Sequence, residues 1–129
     1  MSAHTSILVG GLFHVAIAVF HLLFWRLFDW QRDLASLRFV NRQAMQILNL
    51  CMTFVFLAAA WLSFRHAEEL LITPLGRTLL LLIAAFWALR AACQVVFFGL
   101  RNATSAALFV AILAGAALYL VPWILVQGG

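Results

Sequence analysis

Four long apolar runs dominate the chain, and each is bounded by charged or turn-forming residues. Ser6 to Trp25 carries no charge, only His14 and His21. Ala44 to Phe64 carries none, Thr78 to Leu100 carries Arg90 alone, and Ala103 to Val126 carries none. A bilayer core needs about 20 predominantly apolar residues in a helix. The runs do not alternate in polarity over about ten residues, as membrane β-strands do. In lipid every backbone polar group must be satisfied within the segment, so the runs are expected to be helices. The pattern predicts an all-α, integral-membrane four-helix bundle. Its spans are about 6–26, 43–64, 75–100 and 103–126, with an interfacial connector over about 27–42, all in a single transmembrane domain over residues 1–129.

The punctuation between runs supports these bounds. Thr73-Pro74 reads as an N-cap followed by Pro at the first helical position, opening the third span. Asn41 is a plausible cap for the second, and Arg101-Asn102 a tight turn into the fourth. The connector, Phe24 to Arg42, mixes aromatic and charged residues. Trp25, Phe28 and Trp30 suit the headgroup layer. The first run has no basic segment before it, is longer than a signal-peptide core and lacks a small-residue cleavage site, so it reads as a retained helix. Asn102-Ala103-Thr104 matches a glycosylation sequon but abuts a span on the expected cytoplasmic side, and is discounted.

Composition sharpens the class. Of 129 residues, 67% are hydrophobic and 9% charged, against roughly 45–50% and 25% in soluble domains. A soluble monomer of this size lacks the polar residues to cover its surface. Disorder, which needs low hydrophobicity, is excluded as well. The net charge of +4 comes from arginine alone among the basic residues, a usage suggestive of a GC-rich bacterial genome. The arginines sit at the ends of apolar runs rather than along one stripe, so membrane topology explains them and nucleic acid is not an expected partner. Arg26, Arg32, Arg38, Arg42 and Arg101 fall on one side, Arg65 and Arg77 on the other. By the positive-inside rule both termini lie outside the cytoplasm, periplasmic across a bacterial inner membrane. Cys51 and Cys93 form no metal or disulfide pattern and read as small apolar fillers.

Polar side chains within the spans are the candidates for function, because each is costly unless partnered. His14 and His21 share a face of the first span, as do Gln46, Asn49 and Thr53 on the second and Arg90 and Gln94 on the third. At 1.5 Å rise per residue all seven fall in the cytoplasmic half, roughly 5 to 18 Å from the helix ends. A ligand pocket, interhelical hydrogen-bonded glue and a homo-oligomer interface all fit this layer. Arg90 is the most telling member. Its guanidinium stays charged, and every acid lies in a connection, Asp29 being nearest. It therefore pairs with Asp29, snorkels to lipid, or meets an anionic or carbonyl-bearing ligand.

The histidines do not make a metal site. Seven residues separate them by about 10 Å of rise, whereas zinc ligands sit about 2 Å from the ion. No other span contains a His, which disfavours a bis-His haem. A His could still bond a quinone carbonyl or shuttle a proton. There is no nucleophile elbow, HExxH, phosphate loop or intramembrane carboxylate pair. Ala103, Ala107, Ala111 and Gly115 form a small-residue stripe expected to seal the bundle, with a dimer contact as the alternative. Pro122 is expected to kink or end the last helix, with Tyr119 and Trp123 as interfacial anchors.

The layout resembles small four-helix bacterial inner-membrane proteins of unknown function, the DoxX-like group. The matching features are His14 early in the first span, Asn41-Arg42-Gln43-Ala44-Met45-Gln46 opening the second, and Phe86-Trp87-Ala88-Leu89-Arg90 in the third. The resemblance covers most of the chain and implies a membrane accessory protein, sometimes linked to quinone or redox chemistry. It carries over no catalytic residue. The residues point to a non-catalytic protein of the bilayer, with His14, His21, Gln46, Asn49, Arg90 and Gln94 lining a pocket for a small anionic or carbonyl-bearing lipophile such as a quinone. A structural subunit or assembly factor with a membrane-protein partner is the alternative. A small redox enzyme or haem protein is a second one.

Overall fold

The computed structural model describes residues 1–128, and among these the regular structure is helical, with no strand. The chain runs α1 (Ala3–Leu22), α2 (Phe24–Leu27), α3 (Trp30–Asp33), a 3₁₀ turn (Leu34–Ser36), α4 (Phe39–Arg65), α5 (Ala67–Ile72), α6 (Pro74–Cys93), a π-helical turn (Gln94–Phe98) and α7 (Ala103–Gln127). Four segments are long and apolar enough to cross a membrane: Ala3–Leu22, Phe39–Arg65, Pro74–Phe98 and Ala103–Gln127. The protein is thus an all-α protein of the multi-pass membrane class. By its internal contacts it forms two compact units, Met1–Gly10 with Ser63 onward, and Gly11–Leu62.

The helix ends show which local signals act. Thr73 caps α6 as expected. Its Oγ1 accepts from the Gly76 amide at 2.9 Å and donates to the Glu69 carbonyl at 2.7 Å, so one hydroxyl starts α6 and closes α5. Gly76 is required there, since a Cβ would overlap the Glu69 carbonyl and lie 2.5 Å from Leu70 Cα. Asn102 caps α7 by accepting from Thr104 N at 2.8 Å. Asn41 does not cap α4. That helix begins two residues earlier at Phe39, which leaves Asn41 in its first turn. Ser2 caps α1 instead of letting the helix begin near Ser6, its Oγ accepting from Thr5 N at 3.1 Å.

The first span also ends earlier than the hydropathy suggested. α1 stops at Leu22, where the Leu23 amide is shared between Val19 O (3.1 Å) and Phe20 O (3.2 Å). The connector is then cut into short pieces rather than one interfacial helix. Asp29, in the left-handed region at φ 46°, makes the corner between α2 and α3. Short polar residues tolerate that conformation better than most.

Within the unit of Met1–Gly10 and Ser63 onward, the core gathers on Ile7, Ala67, Leu70, Leu80, Ala84 and Tyr119. Tyr119 is not an interfacial anchor. It is fully buried, and its hydroxyl bonds Ser63 Oγ at 2.7 Å. Gly10 lets α1 approach that ring, because a Cβ there would lie 2.7 Å from it. Pro122 does not end α7, which continues to Gln127. A proline has no N–H for the carbonyl four residues back, here Leu118 O. Ser6 Oγ supplies the missing donor at 2.9 Å. The small-residue stripe does not seal the interior either. Ala103, Ala107 and Ala111 are exposed, and the buried face of α7 is Ser105, Ile112, Gly115, Ala116, Tyr119 and Pro122.

The Ser6–Pro122 compensation predicts non-additive mutants. Ser6→Ala leaves a buried carbonyl unpaired and should cost about 1–3 kcal/mol. In a Pro122→Ala background the backbone N–H returns, and Ser6→Ala should cost much less. Unfolding of the four proteins in one detergent measures the cycle. An equal Ser6→Ala cost in both backgrounds would show that the serine does not serve this carbonyl.

Candidate functional site

The six residues picked out by polarity fall into two groups, one in each unit. His14, His21, Gln46 and Asn49 belong to Gly11–Leu62, and Arg90 and Gln94 to the other unit.

In the first group the organising element is α4. Arg42, Gln46, Asn49, Thr53, Phe56 and Ala60 recur at alternating spacings of four and three, which places them on one helix face. Burial deepens along that face: Arg42 and Gln46 are half-buried, while Asn49, Thr53, Phe56 and Ala60 are buried. Asn49 Nδ2 donates to the His21 carbonyl at 3.0 Å. That carbonyl lies in the last turn of α1, where carbonyls lose their intrahelical partners. Thr53 Oγ1 donates to Asn49 O at 2.8 Å. One turn nearer the connector, Trp25 Nε1 donates to Gln46 Oε1 at 3.4 Å, and Gln46 Nε2 donates to Arg42 O at 3.3 Å.

The histidines are held mainly by aromatic rings and the backbone. His21 Nδ1 lies 2.9 Å from Ile17 O, so the carbonyl selects the tautomer with hydrogen on Nδ1. The His21 ring stacks on Phe24 (4.5 Å, 24°) and meets Phe56 edge-on at 4.9 Å. His14 is 2% exposed, with Phe13 and Phe56 rings at 5.7 and 6.1 Å. Among the described residues, no three or more His, Cys, Asp or Glu gather closely enough to hold a metal ion.

A recess of about 310 Å³ opens where the connector meets the start of α4. Its lining includes Trp25, Trp30, Gln31, Leu34, Arg42 and Gln46. Trp25 and Trp30 meet edge-to-face at 5.2 Å, and the Arg42 guanidinium lies 5.8 Å from the centre of the Phe39 ring. A cation, a primary amide and two indoles thus share one small cavity. Polarity within the spans identified Gln46 but not the rest, because Arg42 reads as a topology charge and the tryptophans as headgroup anchors. The available signal was spacing: Arg42 continues the Gln46–Asn49 face by one more turn.

The second group is a directed relay. Arg90 Nη1 donates to Gln94 Oε1 at 2.9 Å, Gln94 Nε2 to Ser105 Oγ at 2.7 Å, and Ser105 Oγ to Gly99 O at 2.6 Å. Every donor and acceptor matches, so the Gln94 amide has one orientation. The relay surrounds the π-helical turn Gln94–Phe98 and Gly99, whose φ of 68° suits glycine. This turn is why α6 stops at Cys93 rather than running to Leu100. Ser105 was not apparent from the sequence, because it lies eleven positions beyond Gln94, across a helix break. Asp29, in the other unit, is exposed and loosely paired with Arg32 at 4.0 Å.

Compared with known proteins, the chain matches no family model, and no curated protein or solved structure matches it.

The relay predicts an order of stabilities. Gln94→Leu removes the acceptor of a charged donor and isolates Ser105, and should cost the most, about 2–4 kcal/mol. Ser105→Ala should cost about 1–3 kcal/mol. Arg90→Leu relieves a half-buried charge but leaves the buried Gln94 Oε1 unserved, so it should cost less than Gln94→Leu, about 1 kcal/mol. Thermal unfolding in one detergent ranks them, and an Arg90→Leu loss matching that of Gln94→Leu would contradict the scheme.

Proposed function

We propose that this is a non-catalytic, multi-pass protein of a bacterial inner membrane that holds a small lipophilic molecule by an anionic or carbonyl head, a quinone being one such molecule. The recess at Trp25, Trp30, Arg42 and Gln46 carries the reading. Ligand pockets of about 300 Å³ and upward accept small molecules when apolar walls surround a few placed polar groups. The two indoles and Leu34 provide apolar wall. Arg42 is the cation, and its guanidinium suits a carboxylate or carbonyl better than a point charge does. The aromatic connector suits the membrane–water boundary, so a ligand there keeps its head near the surface and its tail among the helices. Arg26, Arg32, Arg38, Arg42 and Arg101 against Arg65 and Arg77 support a cytoplasmic position for this end and both chain ends outside.

Tetradecanoate is a suitable probe. Native mass spectrometry of the detergent-solubilised protein should show it bound, and Arg42→Gln should weaken binding about tenfold, the scale of one charge-assisted hydrogen bond. Arg38→Gln, at an exposed residue outside the recess, should leave it unchanged. Binding that ignores Arg42→Gln would remove the recess as the site.

Orientation has its own readout. A periplasm-dependent phosphatase fused to the C-terminus should be active in cells, and a cytoplasm-dependent reporter inactive. The reverse result would invert the topology.

A further inference from the structure

Among the described residues, one buried side-chain polar atom lacks a partner: Asn49 Oδ1 accepts no hydrogen bond, although Asn49 is 6% exposed. Its amide orientation is not arbitrary. The His21 carbonyl on the other side of the group can only accept, so Nδ2 must face it and Oδ1 must face away. The donors placed around it by the α4 face are committed. Thr53 Oγ1 donates to Asn49 O, His21 Nδ1 to Ile17 O, Gln46 Nε2 to Arg42 O and Trp25 Nε1 to Gln46 Oε1. A buried carbonyl oxygen without a donor is costly, more so where water is scarce.

We propose that Asn49 Oδ1 is the acceptor for a hydroxyl group on the lipophilic ligand, reached from the recess when the Gln46 side chain turns aside. The inference rests on the recess reading and deepens it by naming the ligand's second polar group. Arg42 and Asn49 are seven residues apart, about 10 Å along the helix. Gln46 lies between them and is the loosest member of the face. Its two hydrogen bonds measure 3.3 and 3.4 Å, against 2.8 and 3.0 Å for those that Thr53 and Asn49 donate. Displacing it sacrifices two weak bonds and opens the way to a stronger acceptor. The ligand is therefore a lipophile that carries an alcohol or phenol hydroxyl in addition to its anionic or carbonyl head. A carbonyl offers no hydrogen to Asn49 and would meet an acceptor with an acceptor.

The test compares 4-dodecylphenol with its methyl ether, 4-dodecylanisole, which has nearly the same shape without the donor. Titrated into the intact protein in dodecyl maltoside, the phenol should bind about fivefold tighter than the ether, the scale of one neutral hydrogen bond. Asn49→Leu should bring the ratio to near one, and Gln46→Ala should speed phenol association. Should Asn49→Leu fail to fold, the wild-type ratio still decides. Equal binding of phenol and ether overturns the inference, as when a water molecule serves Oδ1 instead. If neither binds while tetradecanoate still binds through Arg42, the Asn49 assignment falls and the recess reading stands. If tetradecanoate binding also ignores Arg42, both fall.

Discussion

A backbone carbonyl that loses its helical partner inside a bilayer has no water to replace it, and much of the polar chemistry of this chain answers that constraint. Pro122 strands Leu118 O, and Ser6 donates to it. The end of α1 strands His21 O, and Asn49 donates to it. The turn after α6 exposes Gly99 O, and Ser105 donates to it. At the α5–α6 junction Arg77 Nε serves Leu71 O at 3.0 Å. Several breaks in the helices are thus matched by a side-chain donor, some local and some from far along the sequence. Such bonds contribute modestly when made, but leaving a buried acceptor unserved costs more. The donors therefore specify which breaks the fold tolerates.

The same accounting separates packing from binding. A residue whose capacity is spent within the fold is structural: Ser6 and Ser105 serve stranded carbonyls, Thr53 bonds the carbonyl one turn back, and Gln94 joins Arg90 to Ser105. Those with capacity left are Arg42, whose guanidinium reaches the recess, and Asn49, whose amide has spent its donor and kept its acceptor. Glue and pocket are therefore not rival accounts of one polar layer. On the proposed reading a single residue of the α4 face would do both, because an amide carries a donor and an acceptor pointing in opposite directions.

Much of this fold was legible because hydropathy over some twenty residues is a strong signal, set by the thickness of the bilayer. The cap at Thr73 was legible because it acts within three residues of itself, and Arg101-Asn102 was legible as the turn into α7, though not as its cap. What escaped depends on partners distant in sequence. Tyr119 looks like an anchor until Gly10 and Ser63 bury it. Pro122 looks like a terminator until Ser6, more than a hundred residues away, serves its carbonyl. The alanines of α7 look like a packing stripe, yet Ser105, Ile112, Ala116 and Tyr119 face inward instead. In an almost uniformly apolar helix the hydrophobic period carries little information about which face is inside. The site residues show the same limit. His21 and Asn49 were found by polarity and do meet, but through a backbone carbonyl that no side-chain pattern reveals.

The order of chemistry along α4 also dictates how a ligand can lie. Arg42, at the half-buried start, offers donors and positive charge. Asn49, two turns deeper, offers an acceptor, and Phe56 and Ala60 beyond it offer apolar contact. An anionic or carbonyl head at Arg42 and a hydroxyl at Asn49 satisfy both ends. The reversed ligand would press a negative oxygen against Asn49 Oδ1 at a depth where repulsion is poorly screened, and would leave the guanidinium facing an apolar tail. On the proposed reading, two groups on one helix, seven residues apart, would fix the ligand's direction as well as its class.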